Sequence, residues 1–156
     1  MKRRMAHIGL GLAVLAAAGL PAWASPPWYI RSWQSDAGLP DNTVVAIGQT
    51  PDGFLWVAAQ TGLVRFDGVE FRQVPVPVDG MPAGLVHALL VDRRGRLWVA
   101  KECGALVCVD QGRPTTVIAP DHGRTDRRVR MLVEDAEGAV WVLYVGGDVL
   151  RIHEGR

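Results

Sequence analysis

The sequence is short of four things, and each shortage closes a class of function. Cysteine occurs only as Cys103 and Cys108, and two thiols alone are too few for a structural zinc site. An oxidising compartment would permit the pair to bridge, but spacing argues against it. With Cys103 at the tip of a two-residue hairpin, Cys108 falls opposite Val99, and at about 3.3 Å per residue the two Cα atoms lie beyond the roughly 7 Å reach of a disulfide. Long apolar runs are also missing: residues 8–20 make a run of 13, against the roughly 20 that a membrane helix takes. No segment of ten residues keeps its apolar side chains at a spacing of 3.6, which excludes a helical solenoid.

The fourth shortage is charge of one sign. Lys2, Arg3 and Arg4 precede the run 8–20, and Ala22-Trp23-Ala24 follows it. A basic start, a short apolar stretch and an A-x-A site form a secretory signal, so residues 1–24 read as a leader cleaved after Ala24. The remainder, 132 residues from Ser25, keeps 14 of the 17 basic side chains against 16 acidic ones. No basic field is left to hold nucleic acid or an anionic membrane.

What the sequence does have is a period. Trp56, Trp98 and Trp141 stand 42 and 43 residues apart. Each has a glycine three residues before it (Gly53, Gly95, Gly138) and another six after it (Gly62, Gly104, Gly147), with a valine nine residues before the first glycine (Val44, Val86, Val129). A fixed period of this length is the mark of a repeat architecture. Residues 44–50, 86–92 and 129–135 are β-rich apolar runs that end in polar turn formers, and they read as first strands. The first glycine supplies the positive φ of a tight hairpin. Second strands follow at 54–58, 96–100 and 139–143, carrying the indole that fills the space between sheets. The second glycine turns the chain into third strands at 63–67, 105–109 and 148–152. Fourth strands are visible at 70–75 and 114–119, and the third copy stops at Arg156 without one.

The fold class expected is therefore all-β: about three four-stranded antiparallel β-propeller blades, an incomplete propeller, behind a signal peptide. Residues 25–37 precede the blades and contain Trp28-Tyr29-Ile30-Arg31-Ser32-Trp33, which alternates like a strand and suits completion of a last blade or a cap on the first. Blades occupy 38–79, 80–121 and 122–156. Propellers close with about four to eight blades, so the unclosed faces call for partners: further blades in cis on a longer protein, or a second copy in trans completing a six-bladed ring.

The segment Gly38-Leu39-Pro40-Asp41-Asn42-Thr43-Val44, with Thr50-Pro51-Asp52-Gly53-Phe54-Leu55-Trp56-Val57 and Thr61-Gly62-Leu63-Val64-Arg65-Phe66-Asp67-Gly68, closely resembles the two-component regulator propeller repeat. The later copies are looser: Met81-Pro82 replaces Leu39-Pro40 in the second, and the third lacks that motif. The resemblance implies the periplasmic sensory region of a transmembrane signalling receptor, with an oligosaccharide or other small extracytoplasmic ligand. Family members go on to a β-sandwich domain, a membrane helix and a cytoplasmic output such as a histidine kinase, none of which lies in this sequence.

Catalytic chemistry is not expected. His87, His122 and His153 sit at different repeat positions without a His-x-x-x-His pair or a neighbouring nucleophile motif, so no metal site, cofactor or catalytic residue is assigned. Asp52, Asp135 and Glu137 cluster at the first turns, where short acidic side chains bond the backbone. The three repeat tryptophans read as core, not as sugar platforms. Recognition falls to the loops that lead into the first strands, which singles out Asp41, Asn42, Asp79, His122 and Arg124 as ligand contacts. Two other functions stay open: a propeller lyase with His87 or His122 as base, and a platform that only binds protein partners.

Overall fold

A computed structural model describes residues 28–76, 85–120 and 127–153. The expected leader 1–24, Asp79, His122 and Arg124 lie outside the described residues. Two compact units divide at Arg31/Ser32, and all the sheets belong to the second.

Three antiparallel meanders appear where the repeat puts them. The first sheet is β1 (Val44–Gln49), β2 (Leu55–Ala59), β3 (Gly62–Phe66) and β4 (Phe71–Gln73). The second is β5 (Val86–Val91), β6 (Leu97–Lys101), β7 (Leu106–Asp110) and β8 (Arg113–Ile118). The third is β9 (Val129–Glu134), β10 (Val140–Tyr144) and β11 (Val149–Ile152), with no fourth strand among the described residues. First strands are neighbours in space, β1 against β5 and β5 against β9. Each first strand is bulged, leaving Val45, His87 and Arg130 as the extra residues, and such bulges raise the local twist.

The first turns are three-residue loops. In each, the glycine N–H closes a turn onto Thr50, Asp92 or Asp135, and the glycine itself takes φ +89, +79 or +84°. That combination is the type I turn followed by a left-handed residue. It draws Phe54, Arg96 and Ala139 into the turn and starts each second strand one residue later than the sequence suggests. The second turns differ between blades. Gln60-Thr61 is a two-residue connection, so Gly62 lies within β3 opposite Ala59 and has no need of a positive φ. In the second blade a 3-10 turn over Glu102–Gly104 intervenes, and this extra residue sets Cys108 opposite Trp98, not Val99 as the hairpin count had it. Gly104 does need to be glycine: its φ is +76°, and an added Cβ would stand 2.5 Å from the Arg127 carbonyl oxygen.

The core lies between the sheets. Trp56, Ala58 and Leu63 of the first sheet pack on Val86, Leu97, Val99, Val107 and Val109 of the second. The other face of the second, with Ala88, Trp98, Ala100 and Leu106, packs on Val129, Val140, Val142 and Tyr144 of the third. Each such Val or Leu buried is worth about 1.5–3 kcal/mol, so two junctions of this composition contribute strongly to holding the blades together.

Two aromatic expectations need correcting. Trp141 is 39% exposed, against 8% for Trp56 and 3% for Trp98, because no described sheet covers its face. The segment containing Trp28–Trp33 is not a strand, and Trp28, Tyr29 and Ile30 are exposed. The Trp33 indole lies edge-on to Phe66 and Phe71 at 5.4 and 6.4 Å between centroids. Those two rings stack at 4.5 Å, and Leu39, Val57 and Val64 complete the cluster on the first sheet.

Candidate functional site

One polar device repeats in every blade. The residue three before each turn glycine accepts the indole N–H six residues ahead: Trp56 Nε1 donates to Thr50 Oγ1 at 2.9 Å, Trp98 to Asp92 Oδ2 at 2.9 Å and Trp141 to Asp135 Oδ2 at 2.7 Å. In the second and third blades the other carboxylate oxygen takes two turn amides, those of Arg94 and Arg96 or of Glu137 and Ala139. Arginine completes each arrangement, Arg96 on Asp92 at 2.6 Å and Arg151 on Asp135 at 3.3 Å. Bonds from Trp141, Ala139 and Glu137 hold the Asp135 carboxyl well below the ordinary carboxylate range. Burial pushes Asp92 up, but the Trp98 and Arg96 bonds outweigh it and the net shift is downward. Carboxylates held in this way fasten turns; they are poor proton carriers near neutral pH. This is the turn chemistry expected of Asp135, and Asp52 shares it through bonds from Thr50 Oγ1 at 2.5 Å and the Phe54 amide at 3.4 Å.

At the leading end, where first strands begin, Asp41 and Asn42 also serve the fold. Asp41 accepts from the Thr61 amide and hydroxyl at 2.8 and 2.6 Å and from the Thr43 amide at 2.6 Å, and the Thr61 bonds lower its pKa most. Asn42 Oδ1 accepts from the Ser35 amide at 2.8 Å. Together they tie the loop before β1 to the β2–β3 turn. His87 stands in the bulge of β5, its Nε2 buried and without a hydrogen-bond partner. Burial and then Arg128 lower its pKa, partly offset by Glu102, so the imidazole is neutral at pH 7. Lys101 is fully buried and donates to the Val76 carbonyl at 2.7 Å. Among the described residues no three His, Cys, Asp or Glu side chains gather to hold a metal ion.

At the opposite, hairpin end, the two blade junctions differ. Between the second and third blades Arg93 bridges the gap. Its amide donates to Glu134 Oε2 at 2.9 Å, and its guanidinium donates to the carbonyls of Asp135 and Ala136. Between the first and second blades the matching residue is Pro51, which makes an apolar contact with Gly95 across the junction in place of hydrogen bonds. A cavity of about 270 Å³ remains there, lined by Thr50, Asp52, Trp56, Arg94, Asp110 and Gln111 among others. Sequence reasoning missed both the indole acceptors and this cleft. The signal for each was present: an oxygen-bearing residue at a fixed distance before each glycine, and a proline where the next copy has arginine.

Comparison with known proteins agrees with this geometry. Residues 38–61 match the family described as two component regulator propeller. No curated protein sequence matches the chain. Among solved structures, the extracellular domain of a putative one component system from B. thetaiotaomicron is 25% identical with a TM-score of 0.63, over 77% of this chain and 16% of that one. The extracellular domain of a putative hybrid two component system from the same organism is 22% identical with a TM-score of 0.56, over 75% and 18%. A streptogramin B lyase is 17% identical with a TM-score of 0.54, over 76% and 43%, and that likeness is one of fold. The chain thus spans about a sixth of the extracellular domains it resembles. It carries the two component regulator propeller repeat, and its sheets are successive blades of a β-propeller.

Proposed function

We propose that this chain is a non-catalytic, ligand-sensing propeller segment of an exported signalling receptor, acting outside the cytoplasm. The observation that carries the reading is a blade stack in which the Asp41, Asp92 and Asp135 carboxylates are spent on fastening the fold, in a chain that resembles the extracellular domain of a putative one component system over more than three quarters of its length. A ligand held between blades signals by binding one receptor state better than another. No helix among the described residues is long and apolar enough to cross a membrane.

Two measurements test this. A reporter enzyme that is active only outside the cytoplasm, fused behind residue 156, becomes active if the leader works and stays silent if it does not. Calorimetry of the exported chain against a broad panel of soluble oligosaccharides gives heat of binding for at least one; silence across the panel overturns the sensing role. The likeness of fold to a streptogramin B lyase keeps one rival in view, with His87 or His122 as base. Turnover by the chain that His87→Ala or His122→Ala abolishes without unfolding it would establish that rival.

A further inference from the structure

The buried side-chain nitrogens and oxygens that lack a hydrogen-bond partner among the described residues are His87 Nε2, Arg127 Nε and Tyr144 Oη. All three sit at one place, the leading end of the junction between the second and third blades. His87 is the bulged residue of β5, and the charges that act on it are Arg128 and Glu102. Arg127 backs onto Gly104 and sets its guanidinium over the Tyr144 ring, 5.5 Å from the centroid, without a hydrogen bond to the hydroxyl. Buried polar groups are nearly always paired, so three open ones together call for an occupant. The repeat singles out Tyr144 further. Ala59, Lys101 and Tyr144 hold one repeat position, three residues after each indole, and all are buried. Ala59 has no polar tip and Lys101 donates to the Val76 carbonyl, whereas Tyr144, 1% exposed, keeps its hydroxyl open. The backbone is unusual here as well: Leu85, whose carbonyl accepts from the Glu102 amide, has φ +46°, a region that bulky side chains rarely enter outside functional or strained sites.

We infer that this end of the junction binds a small carboxylate-bearing ligand, with the oxyanion taken by Arg127, Tyr144 and His87. The open atoms are donors of the right kind. A guanidinium Nε–H and the N–H beside it form a planar fork that meets both oxygens of a carboxylate. The phenol donates one bond more, and a neutral imidazole donates from Nε2 in one of its two tautomers. Positive charge at this place belongs to the third blade and is no demand of the repeat: the positions of Arg127, Arg128 and Arg130 are held by Asn42, Thr43 and Val45 in the first copy and by Gly84, Leu85 and His87 in the second. Glu102 and Asp148 act from the other side, on His87 and Tyr144 respectively, so the surroundings suit one negative charge better than two. His87 and Arg127 are only half-buried, and the ligand reaches the hydroxyl past their side chains. The inference rests on the sensing reading for its purpose, while the binding is measurable apart from it.

The test is titration calorimetry of the chain from Ser25 at pH 7 and low ionic strength with glucuronate, glucose and inorganic sulfate. Glucuronate binds at least about tenfold tighter than glucose, the worth of one charge-assisted bond, and also tighter than doubly charged sulfate. Arg127→Gln removes the preference for glucuronate over glucose. Tyr144→Phe weakens glucuronate about tenfold without lowering the thermal midpoint, because the hydroxyl it deletes has no partner in the free chain. Arg113→Gln, which takes an exposed arginine from the outer strand β8, leaves the affinity unchanged. Equal affinity for glucuronate and glucose, no binding of either, tighter binding of sulfate, or glucuronate binding that survives Arg127→Gln overturns the inference. So does a Tyr144→Phe variant that melts earlier and still binds glucuronate as the parent does, since the hydroxyl then serves internal water only. Binding of a neutral oligosaccharide that persists in Arg127→Gln, with no preference for glucuronate in the parent, overturns this site and leaves the sensing role intact.

Discussion

Removing the Asp92 carboxylate isolates what one turn fastener is worth. The side chain is about 1% exposed and accepts from the Trp98 indole at 2.9 Å, Arg96 Nε at 2.6 Å and the Arg96 and Arg94 amides at 2.9 and 3.0 Å. Asp92→Ala strands the buried indole N–H and the Arg96 amide and takes the carboxylate from a guanidinium that is itself only 10% exposed. Breaking a buried pair from one side costs about 3–5 kcal/mol, and the orphaned neutral donors act in the same direction. Against a domain stability of about 5–15 kcal/mol, a loss of that size moves the urea midpoint by about 1 M or more at a slope of about 1–3 kcal/mol/M. Urea unfolding of the parent and variant, followed by far-ultraviolet circular dichroism, reads it directly. Asp135→Ala, at the more open third blade, gives a clearly smaller shift. An Asp92→Ala loss under about 1 kcal/mol, the ordinary effect of a point mutation, or one equal to that of Asp135→Ala, refutes the reasoning.

Other perturbations follow from the same geometry. Asp92 and Asp135 both have folded pKa values below the ordinary carboxylate value, so their stabilisation is complete above about pH 4 and is lost as acid titrates them below it; the urea midpoint stays high near neutrality and falls steeply below about pH 4. His87 has a lowered pKa for a different reason, chiefly burial, and its contribution declines as pH drops from about 6.5 toward its folded value; His87→Gln flattens the stability profile in that window, and an unchanged profile contradicts the assignment. Gly104→Ala strains a φ of +76° and drives a Cβ into the Arg127 carbonyl; thermal unfolding shows a loss of at least ~1–3 kcal/mol, whereas Gly62→Ala, with 3.5 Å to Pro40, is far milder. Trp98→Ala costs about 3–5 kcal/mol and Trp141→Ala distinctly less, because a 39% exposed ring has less burial to lose.

The sequence makes the blades legible because three constraints coincide at fixed spacing: a β-rich run, a glycine that must turn left-handed, and an indole between sheets. That is why all the strands of the first two repeats, and three of the third, lie within a residue or two of the expected positions. Turn length was less legible. Cys103-Gly104 and Thr61-Gly62 look alike in the sequence, yet one belongs to a 3-10 turn and the other to a two-residue connection. A single residue of length decides the register there, and with it the partner of Cys108. The exposure of Trp141 was illegible for another reason: the repeat fixes which face an indole takes, while burial depends on whether a neighbouring sheet covers that face. At the leading end, where loop reasoning pointed, the Asp41 and Asn42 oxygens accept hydrogen bonds from Thr61, Thr43 and Ser35.

The account rests on indoles placed between neighbouring blades, and fluorine NMR of the chain from Ser25 labelled with 5-fluorotryptophan, each signal assigned by Trp→Phe replacement, tests that placement. Exchange of water for deuterium oxide leaves the Trp56 and Trp98 resonances unmoved and shifts those of Trp28 and Trp141, in line with exposures of 8 and 3% against 85 and 39%. A solvent shift at Trp98 as large as that at Trp28 contradicts the stacked-blade arrangement.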